Sequence, residues 1–242
     1  MSKNLEVLLT QYKPSEEARD IVSSVKSLFI VGISGAGKDT IQRILIEIGK
    51  YHQIVSHTTR TPRKNHGVLE QNGKEYFFIS LEEAERMLAD KEFVEAKYYS
   101  GHIYGTSVKE FVLARKEKKM VIADIEIQGV AEYKELTPDQ IYPVFLLPPS
   151  YSVWQQRWEK RYGNEAVDDE AKKLRMQTAI AEIEHVLHTS YYAIVVNDAI
   201  EQTIKEVSLI AKSGFQSDDK YIVGRRTAEE ILTAMKQQVS TL

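Results

Sequence analysis

The stretch Gly32-Ile33-Ser34-Gly35-Ala36-Gly37-Lys38-Asp39-Thr40 is where residue type and spacing point most directly to chemistry. Its glycines let main-chain N–H groups converge on an anion, and Lys38 adds a full positive charge. A helix starting there contributes the positive end of its dipole. Gly-x-x-x-x-Gly-Lys signals a phosphate-binding loop when it joins a strand to a helix. Both flanks are in place: residues 28–31 form an apolar, β-branched run, and residues 41–48 repeat apolar side chains at helical spacing. One position departs from the pattern. Asp39 stands where a serine or threonine usually meets magnesium, and Thr40 follows to take over part of that role.

The elements that must hold this loop read as an α/β chain. After the loop helix, residues 53–56 suggest a second short strand, and residues 57–64 form a polar, basic segment too rich in donors for a core. Asn72-Gly73 marks a tight turn and residues 75–79 read as a strand. Ser80 with Glu83 forms a capping box for a helix over 81–90. Residues 93–99 and 102–105 pair as a hairpin turning at Ser100-Gly101, so residues 57–106 are a mostly β insertion. Ser107 and Glu110 cap a helix to about Lys118, and strands follow at 120–123, ending in Asp124, and at 141–147. Helices are expected over 150–161, 169–188, 199–212 and 227–239, with a strand at 192–196 and a leading helix capped by Ser15. Strands alternating with helices argue for a parallel sheet that binds ligands at the carboxyl ends of its strands.

Bulk properties bound the function. The 242 residues suit one large α/β domain or one domain with an inserted lobe. With 32 basic against 35 acidic side chains, broad attraction to nucleic acid is not indicated. The absence of cysteine removes disulfides, cysteine nucleophiles and cysteine-ligated zinc together. No signal peptide and no membrane-length apolar run is visible, so the expectation is a cytoplasmic protein with no membrane partner. His185 and His188 lack a third ligand, and His57, His66 and His102 have no assigned role.

A phosphate loop alone means nucleotide binding; the acceptor must be found elsewhere. Arg60 and Arg63, in a segment fixed by Pro62, either fork onto a second phosphate or are a solvated basic loop. Tyr76 and Tyr104 either donate hydroxyls to that anion or pack the β lobe. Glu95 is either an acceptor in a site or an exposed strand residue. Trp154 and Trp158, one helical turn apart, read as a packing stripe.

The run Ser56-His57-Thr58-Thr59-Arg60-Thr61-Pro62-Arg63, then Asn72-Gly73-Lys74-Glu75-Tyr76-Phe77-Phe78, Phe93-Val94-Glu95 and Tyr104-Gly105-Thr106, resembles guanylate kinases. So do Asp124-Ile125-Glu126-Ile127-Gln128-Gly129-Val130 and Val196-Asn197-Asp198, in the expected order. The resemblance covers residues 27–212, between an N-terminal extension (1–26) and a C-terminal one (213–242). It implies a P-loop NTPase three-layer parallel sheet core, a GMP-binding lobe at 57–106 and a helical lid at 150–176. The implied reaction is transfer of the ATP γ-phosphoryl group to GMP, with Mg2+ as cofactor, by a monomer or homodimer. Gly32, Ser34, Gly35, Ala36, Gly37, Lys38, Asp39, Thr40, Arg157 and Asn197 would bind ATP. Arg60, Arg63, Tyr76 and Tyr104 would hold the GMP phosphate, while Ser56, Glu95 and Thr106 would read guanine, with Asp124 and Glu126 close by. Lys38, Arg60, Arg161 and Arg175 would be catalytic, and Asp39 or Thr40 would meet the metal beside the nucleotide phosphates.

Guanine offers two donors that a carboxylate such as Glu95 accepts together; adenine would put an acceptor there and leave buried polar groups unpaired. The chain departs from the family at Asp39, in a loop between Arg63 and Glu70 longer by about four residues, in a longer lid, and in residues 213–242. Two other readings share features: a ribose 1,5-bisphosphate phosphokinase-like enzyme, whose loop also resembles Gly-Lys-Asp, and a non-catalytic guanylate-kinase-like binding domain. The first does not need Glu95, Tyr76 or the Thr-Thr-Arg-Thr-Pro-Arg segment. The second typically has an eroded phosphate loop.

Overall fold

The computed structural model describes residue 5 and residues 9–65, 67–162, 169–214 and 220–239. In chain order the elements begin with α1 (Glu16–Ser23), β1 (Ser27–Gly32), α2 (Lys38–Glu47), β2 (Tyr51–Gln53) and β3 (His57–Thr58). They continue through β4 (Lys64–Asn65), β5 (Val68–Leu69), β6 (Phe77–Phe78), α3 (Leu81–Ala89), β7 (Phe93–Tyr99), β8 (His102–Ser107) and α4 (Val108–Glu117). Then come β9 (Met120–Asp124), α5 (Ile127–Leu136), β10 (Ile141–Leu147), α6 (Tyr151–Tyr162) and α7 (Asp169–Leu187). The chain closes with β11 (Ala193–Val196), α8 (Ile200–Ser213) and α9 (Lys220–Val239). Two units divide it. The first comprises Met1–Lys26, Lys50–Val121 and Glu135–Gln140, the second Ser27–Gly49, Ile122–Lys134 and Ile141–Leu242.

The second unit is built on a parallel sheet. β1 lies beside β10 from Ser27↔Ile141 to Gly32↔Leu146, and β10 beside β11 from Val144↔Ala193 to Leu147↔Val196. Every residue of β1 is buried, the mark of a strand covered on both faces. Helix α2 follows the phosphate loop and turns Ile41 and Leu45 into the core. It starts at Lys38, with Gly37 in the left-handed region as its N-cap and no side-chain cap. Strand, loop, helix and parallel sheet make the α/β core of a P-loop NTPase. α5 was not expected: Gly129 costs helix propensity, yet Val130 and Tyr133 bury one face, with Tyr133 edge-on to Phe29 at 4.9 Å between ring centroids.

α9 runs from Lys220, seven residues before the expected start. Its Gly224, Ala228, Ile231 and Met235 share one buried face at helical spacing. That face packs on α7 and β11. Lys236 Nζ pairs with Glu184 at 2.6 Å, and Arg225 donates to the Leu187 carbonyl at the end of α7 at 2.7 Å. A cation at a helix C-terminus suits the last unsatisfied carbonyls. A Cβ on Gly224 would strike the main chain of Ile194, so only glycine lets the helix come this close.

The first unit has a four-stranded sheet in the order β6-β3-β8-β7 and a separate β4–β5 hairpin. The β7–β8 hairpin turns at Ser100 (φ 49°) and Gly101 (φ 89°), as its sequence predicts, and a bulge interrupts pairing between Phe93 and Glu95. Leu5 joins Ala84, Met87, Leu88, Phe93, Ala96 and Ile103 in this unit's core, and Tyr12 donates to the Phe93 carbonyl at 2.7 Å. Three expectations are corrected here. The strand expected at 53–56 ends at Gln53, because the Val55 N–H goes to the Glu110 carboxylate at 3.0 Å and not to a ladder partner. The strand expected over 75–79 shrinks to Phe77–Phe78, since turn bonds from Lys74 N to Gln71 O and Gly73 N to Tyr76 O occupy the preceding residues. Ser107 makes no cap bond, and Glu110 is turned to Val55 instead of capping α4. Ser80 does cap α3 by accepting from Glu83 N at 3.1 Å, but the Glu83 carboxylate binds Arg86 and does not return to Ser80.

Candidate functional site: a phosphate loop and a second anion site

In the second unit the loop residues are held from several directions. Lys38 Nζ donates to the Gly32 carbonyl at 2.6 Å, so the ammonium closes the loop onto the residue that opens it. The Trp154 indole N–H donates to the Ser34 carbonyl at 2.8 Å, and the Asn197 amide donates to the Ala36 carbonyl at 2.8 Å. Asn197 is itself fixed. Its side-chain oxygen accepts from Thr203 at 3.1 Å, its N–H donates to the Leu147 carbonyl at 2.7 Å, and its carbonyl accepts from Arg157 at 3.0 Å. A Cβ on Gly37 would strike the Asn197 amide nitrogen, and the φ of 91° there disfavours any L side chain. With Gly37 offering no side-chain cap, the first N–H groups of α2 are left to a ligand, the arrangement that binds phosphate. Asp39 is exposed and Thr40 half-buried in the first turn of that helix.

Asp124, at the end of β9, and Glu126, just before α5, lie in the same unit and act on Glu182 of α7. Burial pushes the Glu182 carboxyl up to about 7; Lys38 opposes the rise, and the Glu126 and Asp124 charges add to it. Sequence reasoning passed over Glu182, since a glutamate inside a helix gives no signal. Arg157 is half-buried and held by Asn197. Arg175 lies in the second turn of α7. The Arg161 side chain, His66, and residues 163–168 of the expected lid lie outside the described residues.

In the first unit Arg60 is 5% exposed and gripped by Glu70 through two bonds, 2.8 and 3.1 Å, a forked pair. Glu70 also accepts from the Arg63 N–H at 2.7 Å, so one carboxylate organises the whole turn. The Glu70 bonds hold Arg60 firmly protonated, with Tyr104 adding to the effect. The guanidinium lies 5.3 Å from the Tyr76 ring centre and 5.7 Å from that of Phe78, and Tyr76 meets Tyr104 edge-on at 5.9 Å. Burial raises the Tyr76 hydroxyl above its usual range, with Arg60 and Arg63 pulling the other way. Thus Arg60, Tyr76 and Tyr104 are gathered with Glu70, whose part the sequence did not reveal, and Arg63 stays exposed beside them. Glu95 is half-buried on β7 directly opposite buried Thr106 on β8, and Ser56 is a half-buried loop residue whose carbonyl accepts from Phe77 N.

Among the described residues no group of three or more His, Cys, Asp or Glu side chains could hold a metal ion. No described helix is long and apolar enough to cross a membrane.

The chain is similar to known proteins over most of its length. The guanylate kinase family model matches residues 24–213. A guanylate kinase of Schizosaccharomyces pombe is 35% identical over 206 residues, covering 84% of this chain and 98% of that protein. Another, of Caldanaerobacter subterraneus, is 39% identical over 186 residues, covering 76% and 84%. Among solved structures, the guanylate kinase of Anaplasma phagocytophilum superposes with a TM-score of 0.55 at 25% identity, covering 80% of this chain and 88% of that one. A family model matching residues 24–213 and relatives more than 30% identical over most of their own length lead to one conclusion: the chain belongs to the guanylate kinase family.

Proposed function

We propose that this protein transfers the γ-phosphoryl group of ATP to GMP, giving ADP and GDP, in a cytoplasmic setting. A GMP phosphate oxygen forms a bond to the γ-phosphorus, the bond to the β–γ bridging oxygen breaks, and ADP leaves with that electron pair. Such transfers ask for alignment and for neutralisation of spreading charge more than for covalent help. Gly35 and Gly37 N–H groups and Lys38 take the donor phosphates, with Arg157 and Asn197 shaping their support. Arg60, Arg63, Tyr76 and Tyr104 hold the acceptor phosphate. Ser56, Glu95 and Thr106 read guanine, with Asp124 and Glu126 assisting, and Arg161 and Arg175 complete the neutralisation from a lid spanning 150–176. The catalytic domain spans 27–212, with residues 57–106 as its GMP-binding lobe.

The donor set fits magnesium. Thr40 and Asp39 offer hard oxygens in the first turn of α2, and the nucleotide phosphates supply most of the remaining ligands, in keeping with the absence of a dense acidic cluster among the described residues. When bound, the ion neutralises charge on the transferring phosphoryl group.

The observation that carries the reading is the grouping of residues in each unit: a glycine loop closed by Lys38 in one, and Arg60 gathered with Tyr76 and Tyr104 in the other. A coupled assay with ATP and magnesium, offering GMP, AMP and ribose 1,5-bisphosphate in parallel, tests it. GMP should be preferred over AMP by roughly 10⁴-fold or more. Equal use of AMP, preference for the ribose bisphosphate, or no turnover with GMP would overturn the assignment.

A further inference from the structure

Trp154 looks like core by its spacing, yet its polar atom is aimed at the phosphate loop. The side chain is 3% exposed, so its indole N–H has left water and needs an acceptor. It finds the Ser34 carbonyl at 2.8 Å, 120 positions away in sequence. Its ring also floors the loop: a Cβ on Gly35 would meet Trp154 Cδ1 at 3.6 Å. Tyr151, one turn earlier on α6, stacks on the same indole with ring centroids 5.7 Å apart.

A trans peptide points its C=O and its following N–H in opposite directions. Binding the Ser34 carbonyl therefore turns the Gly35 N–H away from Trp154. Asn197 does the same for the next but one peptide, holding the Ala36 carbonyl and so turning the Gly37 N–H. Arg157, three residues after Trp154 on α6, donates to the Asn197 carbonyl and ties the two holders together. Without these bonds glycine peptides rotate readily, and a loop that must order itself on binding loses affinity.

We propose that Trp154 is a positioning residue for the donor nucleotide: its indole N–H fixes the Ser34–Gly35 peptide, so that the loop is set for phosphate before ATP arrives. This rests on the reading that the loop takes ATP and is independent of what the acceptor is. Since α6 supplies both Trp154 and Arg157, the start of the lid is fastened to the loop it serves.

The protein has two tryptophans, 154 and 158, so Trp158→Phe leaves Trp154 as sole reporter. In that variant the emission of Trp154 should be that of a buried, hydrogen-bonded indole before any nucleotide is added; a solvent-exposed emission that shifts to the buried form only with saturating ADP overturns the proposal. Trp154→Phe keeps an aromatic ring and removes the N–H. It should raise KM for ATP and Kd for ADP by about five- to tenfold, the range of one hydrogen bond. Its kcat and KM for GMP should stay within about twofold. An unchanged KM for ATP, or equal rises in both KM values with a lowered Tm, would reduce Trp154 to packing. ADP binding by calorimetry on the unaltered protein keeps this separate from the assignment of GMP: failure to phosphorylate GMP with ADP still bound defeats that assignment and leaves the role of Trp154 standing.

Discussion

The phosphate loop and the Arg60 cluster are built on opposite principles. The loop uses main-chain amides whose carbonyl partners, Trp154 and Asn197, come from outside it. The turn at Arg60 uses a guanidinium that is buried, paired and stacked, with Glu70 as its counter-charge. Amide dipoles cannot be neutralised, so that part of the loop fails when its peptides lose their orientation. A guanidinium can be left alone in a low-dielectric setting, so the turn fails through unpaired charge. One site depends on geometry, the other on balance.

That contrast can be broken at several points. The largest effect is expected at Glu70: Glu70→Ala strands the buried Arg60 charge and should cost about 3–5 kcal/mol of stability, the range for a broken buried pair. Urea denaturation of both proteins reads it, and a loss below 1 kcal/mol would mean that Arg60 finds water when its partner is gone. Next comes Lys38→Ala, which should lower turnover by roughly 10²-fold or more with little change in the unfolding midpoint. Retained turnover would leave the main-chain amides as sufficient by themselves. Third, Glu95→Gln should raise KM for GMP about ten- to hundredfold, the range for losing a hydrogen bond to a charged group, with KM for ATP within about twofold. Equal effects on both substrates would remove Glu95 from guanine recognition.

The smallest effect is expected at His52, which lies 3.4 Å from Glu110 and 3.5 Å from Glu117. The Glu110 carboxylate beside it raises its folded-state pKa, burial opposes, and Glu117 adds to the rise. A raised histidine stabilises the fold fully below the unfolded pKa, about 6.5, and this contribution vanishes as pH climbs through the folded value. His52→Gln should therefore cost a few tenths of a kcal/mol at pH 6 and nothing at pH 9, about the worth of a weak ion pair. An identical loss at both pH values would assign His52 to packing.

What the sequence made legible was what short-range chemistry dictates. The glycine spacing located the loop, Ser100-Gly101 located the hairpin turn, and Ser15 and Ser80 located two helix starts, with their hydroxyls accepting from Ala18 N and Glu83 N. The supports of the site were not legible, because they come from far along the chain. Asn197 reaches Ala36 across 161 positions, and its type was suggested only by resemblance. Trp154 read as core because burial and service to the loop use the same side chain. Glu70 lay inside a segment noticed only for its length, though its carboxylate gathers Arg60 and Arg63. Helix α5 was missed because Gly129 weakens its local signal while the fit of Tyr133 against Phe29 decides the matter.

Helix α9 lies beyond the family match, and its position has a consequence for how this molecule meets its own kind. β11 is the outermost strand of the parallel sheet, and such a strand is a template for addition by another chain. Gly224 brings α9 against the Ile194 carbonyl on that strand, so the helix covers part of it. A chain cut after residue 213 would bare that border, and its first fault would be self-association along β11 before any loss of nucleotide affinity.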